Sequence, residues 1–169
     1  SFLTASEVNV YSHRHYDSDK ILFKKFEETT GIKVNIVTAK AEELVSKLAI
    51  EGENTPADVL ITADIGNLHE AKSRNLLQTI DSNTLNTNIP AHLRDANKEW
   101  FALTKRARIF VYNPEKINPA DLSDYLSLTN PKLKGKIITR SSTNAYNKAL
   151  LASIIANHGE AKALEFTKG

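Results

Sequence analysis

Polar and apolar residues alternate with period two over Val8-Asn9-Val10-Tyr11-Ser12, the spacing of a strand with one buried face. The next stretch, Ser18 to Glu28, changes to helical spacing with Leu22 and Phe26 at i,i+4, and Gly31 stands where a left-handed C-terminal residue is wanted. Ile32 to Ile36 alternates again, and Ala41 to Glu51 returns to helical spacing with Leu44, Val45, Leu48 and Ala49 on one face, closed by Gly52. Ala57 to Thr62 is a short continuous apolar run, the mark of a parallel strand covered on both faces, and a helix is expected from about Ile65 to Arg74. This alternation of strand and helix predicts an α/β unit.

Beyond Asp81 the pattern weakens. Asp81 to Leu93, rich in Asn, Thr and Pro, is expected to be irregular with one short helix near Pro90. Trp100 to Leu103 and Ala107 to Tyr112 read as a pair of strands, Asp121 to Leu128 as a short helix and Lys136 to Thr139 as a strand. Ala145 to Asn157 reads as a helix with Leu150, Leu151, Ile154 and Ile155 inward, followed by another from Glu160. The stretch 101–112 is the expected crossover between an α/β domain over 7–105 and a second domain over 106–169.

The chemistry concentrates at one place in this pattern. His13-Arg14-His15-Tyr16-Asp17 falls where the first strand gives way to the first helix, the end at which open α/β sheets bind ligands. Oxygen and nitrogen donors beside a guanidinium point to a hard cation held with an anion. His13 and His15 alternate, so only one of them reaches a given site while the strand continues, and His15 is the candidate.

Composition narrows the classes. Twenty-two basic and 20 acidic residues among 169 leave a formal charge of +2 with no basic block, which argues against nucleic acid as a partner. The absence of cysteine removes disulfides, zinc–thiolate sites and thiol nucleophiles. No apolar run approaches the roughly 20 residues of a membrane-spanning helix. Ser1 to Ser6 reads like the residue of a cleaved export signal, which would place the chain in the periplasm or another extracytoplasmic space.

Five segments carry a family resemblance: Val8-Asn9-Val10-Tyr11-Ser12-x-Arg14-x-Tyr16, Phe26-x-x-x-Thr30-Gly31-Ile32-Lys33-Val34, Pro56 to Thr62 with Asp64, Trp100-Phe101-x-Leu103-Thr104-x-Arg106-Ala107-Arg108, and Arg140-Ser141-Ser142-x-Asn144-x-Tyr146-Asn147. Together they resemble the periplasmic ferric-iron-binding proteins of bacterial ABC importers. The resemblance implies a two-lobed periplasmic-binding-protein-like α/β fold, its first lobe nearly complete and its second truncated. It implies ferric iron as the transported ligand, carbonate or a similar synergistic anion, and an inner-membrane ABC permease as partner. Carried over by position, Tyr16, Tyr146 and His15 are the implied metal ligands, and Arg14, Arg106, Asn144 and Ala145 the implied anion-binding residues, with Arg108 the alternative to Arg106. The consecutive Tyr-Tyr pair of that family is missing, the remaining tyrosines being Tyr11, Tyr112 and Tyr125. The expectation is therefore a fragment that binds iron weakly and associates as a homodimer or swapped dimer.

Ferric iron is small, hard and highly charged, and a phenol with an ordinary pKa near 10 becomes an anionic ligand once such an ion lowers it. Each candidate has a plainer role to be weighed. A tyrosine at a strand end packs with its hydroxyl in water, Arg106 and Arg108 could be edge-strand charges, and Asp58 and Asp64 could cap the turns beside them, Asp64 also being placed to line a cleft. His69, His92 and His158 read as surface residues. Two other functions compete: the same fold taking an oxyanion, polyamine or organic acid, and a metal-dependent enzyme built on His13 and His15, for which no second donor cluster or nucleophile motif is visible.

Overall fold

A computed structural model describes residues 7–169, so the export-signal reading of Ser1 to Ser6 lies outside the described residues. Two contact units divide the chain, one ending at Leu103 and the other running from Thr104 to Gly169.

The first unit is built on three parallel strands, β1 (Glu7–Ser12), β2 (Lys33–Thr38) and β3 (Val59–Ile61), in the order β2-β1-β3. Ser12 stands opposite Thr38 on one side and Ile61 on the other, so the carboxyl ends of all three strands share one edge. Winding proceeds outward from β1 to β2, then crosses back to β3 on the far side of β1. The reversal between β1 and β3 is the topological switch point at which open α/β sheets form a crevice. Val10 and Tyr11, neighbours on opposite faces of β1, are both buried, so the sheet is covered on both sides near that edge.

The helices follow from their own sequences. In α1 (Asp17–Thr30) Asp17 and Asp19 occupy the positive first turn, and Gly31 at φ 73° donates its N–H to Glu27 O. α2 (Ala41–Glu51) turns Ala41, Leu44, Val45 and Leu48 inward, Ala41 taking the place expected for Ala49, and Leu44 and Leu48 form the core with Tyr11. α3 (Ile65–Ser73) begins at Asp64, whose Oδ1 accepts from Gly66 N at 2.9 Å. α4 (Asn83–Asn88) and a 3-10 turn over Ala91–Leu93 order the segment expected to be mostly irregular, Ser82 capping α4 through the N–H of Leu85.

The expected strand pair over 100–112 does not form. A single antiparallel bridge joins Phe101 to Arg94, and 104–112 has no ladder, leaving Ile109 and Val111 exposed. Lys136 to Thr139 likewise forms no strand, with Ile138 fully exposed. Apolar, β-branched composition is realised as strand only where a partner supplies the other half of the hydrogen bonds, and among the described residues none stands beside these segments. The helix expected over 121–128 is replaced by 3-10 turns at Pro119–Asp121 and Leu126–Thr129, with a third at Pro131–Leu133. Side-chain oxygens of Asn118, Asp124 and Asn130 each accept a nearby backbone N–H and restart the chain before an α-turn can propagate.

The second unit holds α5 (Ala145–His158) and α6 (Glu160–Lys168), joined through Gly159 at φ 83°, ψ 164°, a conformation close to glycine-only. Ile154 and Ala163 are buried between them. Of the four α5 residues expected to face inward, only Ile154 is fully buried. Leu150 and Leu151 are half-buried and Ile155 is exposed. Among the described residues no helix is long and apolar enough to cross a membrane.

Candidate functional site

β1 ends at Ser12, and the four residues that follow are held at the switch point by a small set of bonds. His13 N donates to Ile61 O at 2.9 Å, tying the exit of β1 to the end of β3. The buried Ser12 hydroxyl accepts from Arg14 N at 3.1 Å and donates to Arg14 O at 3.2 Å, which turns the chain off the sheet. Tyr16 then serves as N-cap of α1, with its carbonyl accepting from Asp19 N at 3.0 Å.

These bonds set the side chains. The His15 and Tyr16 rings stack with centroids 5.2 Å apart and 21° between planes, and Tyr16 is 42% exposed. His13 is half-buried, with Nδ1 enclosed and without a partner. β1 ends at Ser12, so strand alternation does not govern the two histidines; His15 is the one stacked on Tyr16. Arg14 forks onto Asp19, Nε to Oδ2 and Nη2 to Oδ1, each at 2.9 Å, and its guanidinium carbon lies 5.0 Å from the Tyr16 ring centroid. The Arg14 hydrogen bonds hold the Asp19 carboxyl below its ordinary range, and Asp19 in turn raises the guanidinium pKa. Two of the five guanidinium N–H groups are thus engaged, leaving three for another acceptor. Asp19 had no place in the sequence reading; its position in the first turn, five residues after Arg14, was the available signal.

Asp64, expected to cap α3 or line the cleft, caps α3. Asp58 is bound to β1, where its Oδ2 accepts from Asn9 N at 2.8 Å. His69, His92 and His158 are exposed. Tyr11 is a core residue whose hydroxyl donates to Glu51, a carboxylate that also accepts from Thr55 Oγ1 and pairs with Lys47. Among the described residues no three His, Asp or Glu side chains converge as a metal site.

The second unit presents a separate constellation around Tyr146 in the first turn of α5. Asn144 is the N-cap, its Oδ1 accepting from Tyr146 N at 3.0 Å. Ala145 is the first helical residue, where a backbone N–H has no intrahelical acceptor. Arg106 Nη1 donates to Tyr146 Oη at 3.0 Å. Arg106, Arg108 and Arg140 place their guanidinium carbons 5.7, 5.3 and 5.2 Å from the Tyr146 ring centroid. The edge-strand role does not apply to Arg106 or Arg108, because 104–112 is not a strand. Arg140 was missed as a partner of Tyr146; it arrives because Asn147 Nδ2 donates to Arg140 O and to Ser141 O, folding 139–141 back onto α5.

Residues 14–133 match the family model for bacterial extracellular solute-binding proteins. The chain belongs to that family. Among solute-binding proteins of known structure, the ferric binding protein from Campylobacter jejuni superposes with a TM-score of 0.91 at 53% identity, over 95% of this chain and 51% of that one. A Trichodesmium protein (IdiA, FutA) solved in complex with iron and citrate gives 0.88 at 46% identity, over 96% and 51%. Iron uptake protein A1 of Synechocystis is 46% identical over 163 residues, 96% of this chain and 45% of its own length. The α/β architecture is thus that of the periplasmic binding proteins, and the chain spans about half the length of the solute-binding relatives it matches.

Proposed function

We propose that this chain acts in the extracytoplasmic capture of ferric iron, held with a small synergistic anion such as carbonate and delivered to an inner-membrane ABC permease. The observation that carries the reading is the stacked His15–Tyr16 pair at the carboxyl edge of the central strand, at the switch point of the sheet. Relatives named for iron uptake and ferric binding support the choice of cargo. The donors in this reading are Tyr16 as phenolate, His15 as imidazole and Tyr146 as phenolate. The anion falls to Arg14 through its free N–H groups, to Arg106, and to the start of α5 at Asn144 and Ala145. Export through a removed signal peptide, and a two-lobed division at 105/106, belong to the same reading. So does self-association as a homodimer or swapped dimer, which the exposed Ile21 and Leu22 of α1 support and light scattering would measure.

Adding ferric iron should produce a phenolate-to-iron absorption in the visible, and Tyr16→Phe should weaken it. An identical spectrum in the variant would remove Tyr16 from the ligand set. A metal enzyme built on His13 and His15 is the weaker reading, because the named relatives are iron-uptake and ferric-binding proteins.

A further inference from the structure

The stretch 104–112 of the second unit has the side-chain pattern of a strand and none of a strand's bonds. Among the described residues no backbone N–H or C=O from Thr104 to Tyr112 takes part in a hydrogen bond, and the chain passes through them without a turn or bend. None of these residues is proline, so every one keeps a backbone donor to give. One face is already used: Phe110 meets Tyr125 edge-on with centroids 5.0 Å apart, and Arg106 and Arg108 stand against Tyr146. The alternate residues face away, Ile109 being 74% and Val111 90% exposed. An open edge carrying exposed β-branched residues is a template for pairing with another chain. Lys105, Arg106 and Arg108 guard only its first half, and 109–112 carries no charge.

The sequence of this edge is complementary to itself. When two antiparallel copies are related by a two-fold axis normal to the ladder, opposite residues share a face, so the axis passes through a residue and not between two. An axis at Ala107 sets Arg106 opposite Arg108, and an axis at Arg108 sets that residue opposite itself, both of which are repulsive. An axis at Val111 runs Pro114 against Arg108, inside the ladder, where proline has no N–H to give. An axis at Ile109 avoids these conflicts but leaves Lys105 opposite the neutral Asn113. With the axis at Phe110, Ile109 falls opposite Val111 and Arg108 opposite Tyr112, each pair occurring twice. The ladder over 107–113 then stops short of Pro114, and Lys105 comes beside Glu115 of the other copy just beyond it. Apolar, cation–aromatic and opposite-charge pairs are thus all met in one register.

We propose that two copies of this chain dock through 107–113, paired antiparallel about Phe110, so that each segment supplies the ladder the other lacks. The proposal rests on the self-association in the reading above and gives it a surface; it is independent of iron.

The test uses the purified, metal-free chain. Sedimentation should show a concentration-dependent dimer of the 18.8 kDa chain. Val111→Lys, at a side chain open to solvent in the single copy, should raise the dimer dissociation constant about tenfold or more. Lys105→Glu should weaken the dimer about threefold, the scale of an exposed ion pair, and Lys105→Glu combined with Glu115→Lys should restore it. The chain has no cysteine, so the register can be read by oxidation. A mixture of Ile109→Cys and Val111→Cys chains should form a disulfide-linked dimer, since opposite Cβ atoms lie about 4.5–5.5 Å apart. Either variant alone should stay unlinked, because each position is then offset from its own copy. Circular dichroism checks the fold of every variant. A monomer at every concentration would overturn the proposal together with the self-association. A dimer in which the cysteine mixture stays unlinked, or in which either variant alone links as readily, would overturn the proposal and leave self-association through Ile21 and Leu22 of α1 standing. Ferric phenolate absorption, measured separately, decides the iron reading in every case.

Discussion

Arg14 is committed on one edge to Asp19 and open on the other, which makes its role measurable. If it holds the anion that accompanies iron, Arg14→Ala should weaken ferric binding about tenfold or more in carbonate buffer, the scale of a charge-assisted hydrogen bond, and much less in carbonate-free buffer. Equal losses in the two buffers would assign Arg14 to the Asp19 pair alone. Asp19 also carries a pH signature. Its folded pKa lies below the unfolded value because of the Arg14 hydrogen bonds, so its stabilising effect is complete above the ordinary aspartate range near 4 and is lost as pH falls through the folded value. Asp19→Asn should therefore flatten the acid side of the stability profile measured by urea denaturation.

At the scale of elements, the junctions that position the site depend on backbone conformation and on one small core. Gly31 ends α1 at φ 73°, and nothing lies within 4 Å of a Cβ added there. Gly31→Ala should thus cost only the left-handed backbone term, about 1–2 kcal/mol, with no steric addition. Leu44 is fully buried against Tyr11, and Leu44→Ala should cost about 2–5 kcal/mol, a range set by how far the site relaxes. Chemical denaturation of the two variants compares them directly. The helical and strand periodicities of 8–12, 18–28, 32–36 and 41–51 were legible because each segment satisfies its own spacing and ends at a turn residue. Residues 107–112 and 136–139 were misread because apolar composition does not say whether a partner strand is present.

At the scale of the molecule, Lys72 of α3 meets Asp95 at 2.7 Å and Glu99 at 2.8 Å, clamping the helix to the 95–100 turn of the first unit. Lys72 holds the Asp95 carboxyl below its ordinary range, while Asp95 and then Glu99 raise the Lys72 ammonium. The carboxylate contribution is present above about pH 4 and fades as pH falls through the folded value; the lysine contribution is present below about pH 10 and fades above the folded value. Asp95→Asn should lower the urea midpoint at neutral pH and leave it less dependent on acid, whereas a variant with the parent's full acid dependence would show that the clamp is incidental. Local periodicity, helix-ending glycines and the His13 to Asp17 cluster determined by themselves the α/β unit and the end of β1 at which a site would form, since spacing, capping and strand polarity are written in neighbouring residues. Only the tertiary structure decided that Arg14 pairs with Asp19, that Tyr11 belongs to the core, and that Arg106, Arg108 and Arg140 gather on Tyr146. Those pairings join residues 5 to 40 positions apart through backbone turns and buried contacts, and no local pattern encodes which distant partner a charge will meet.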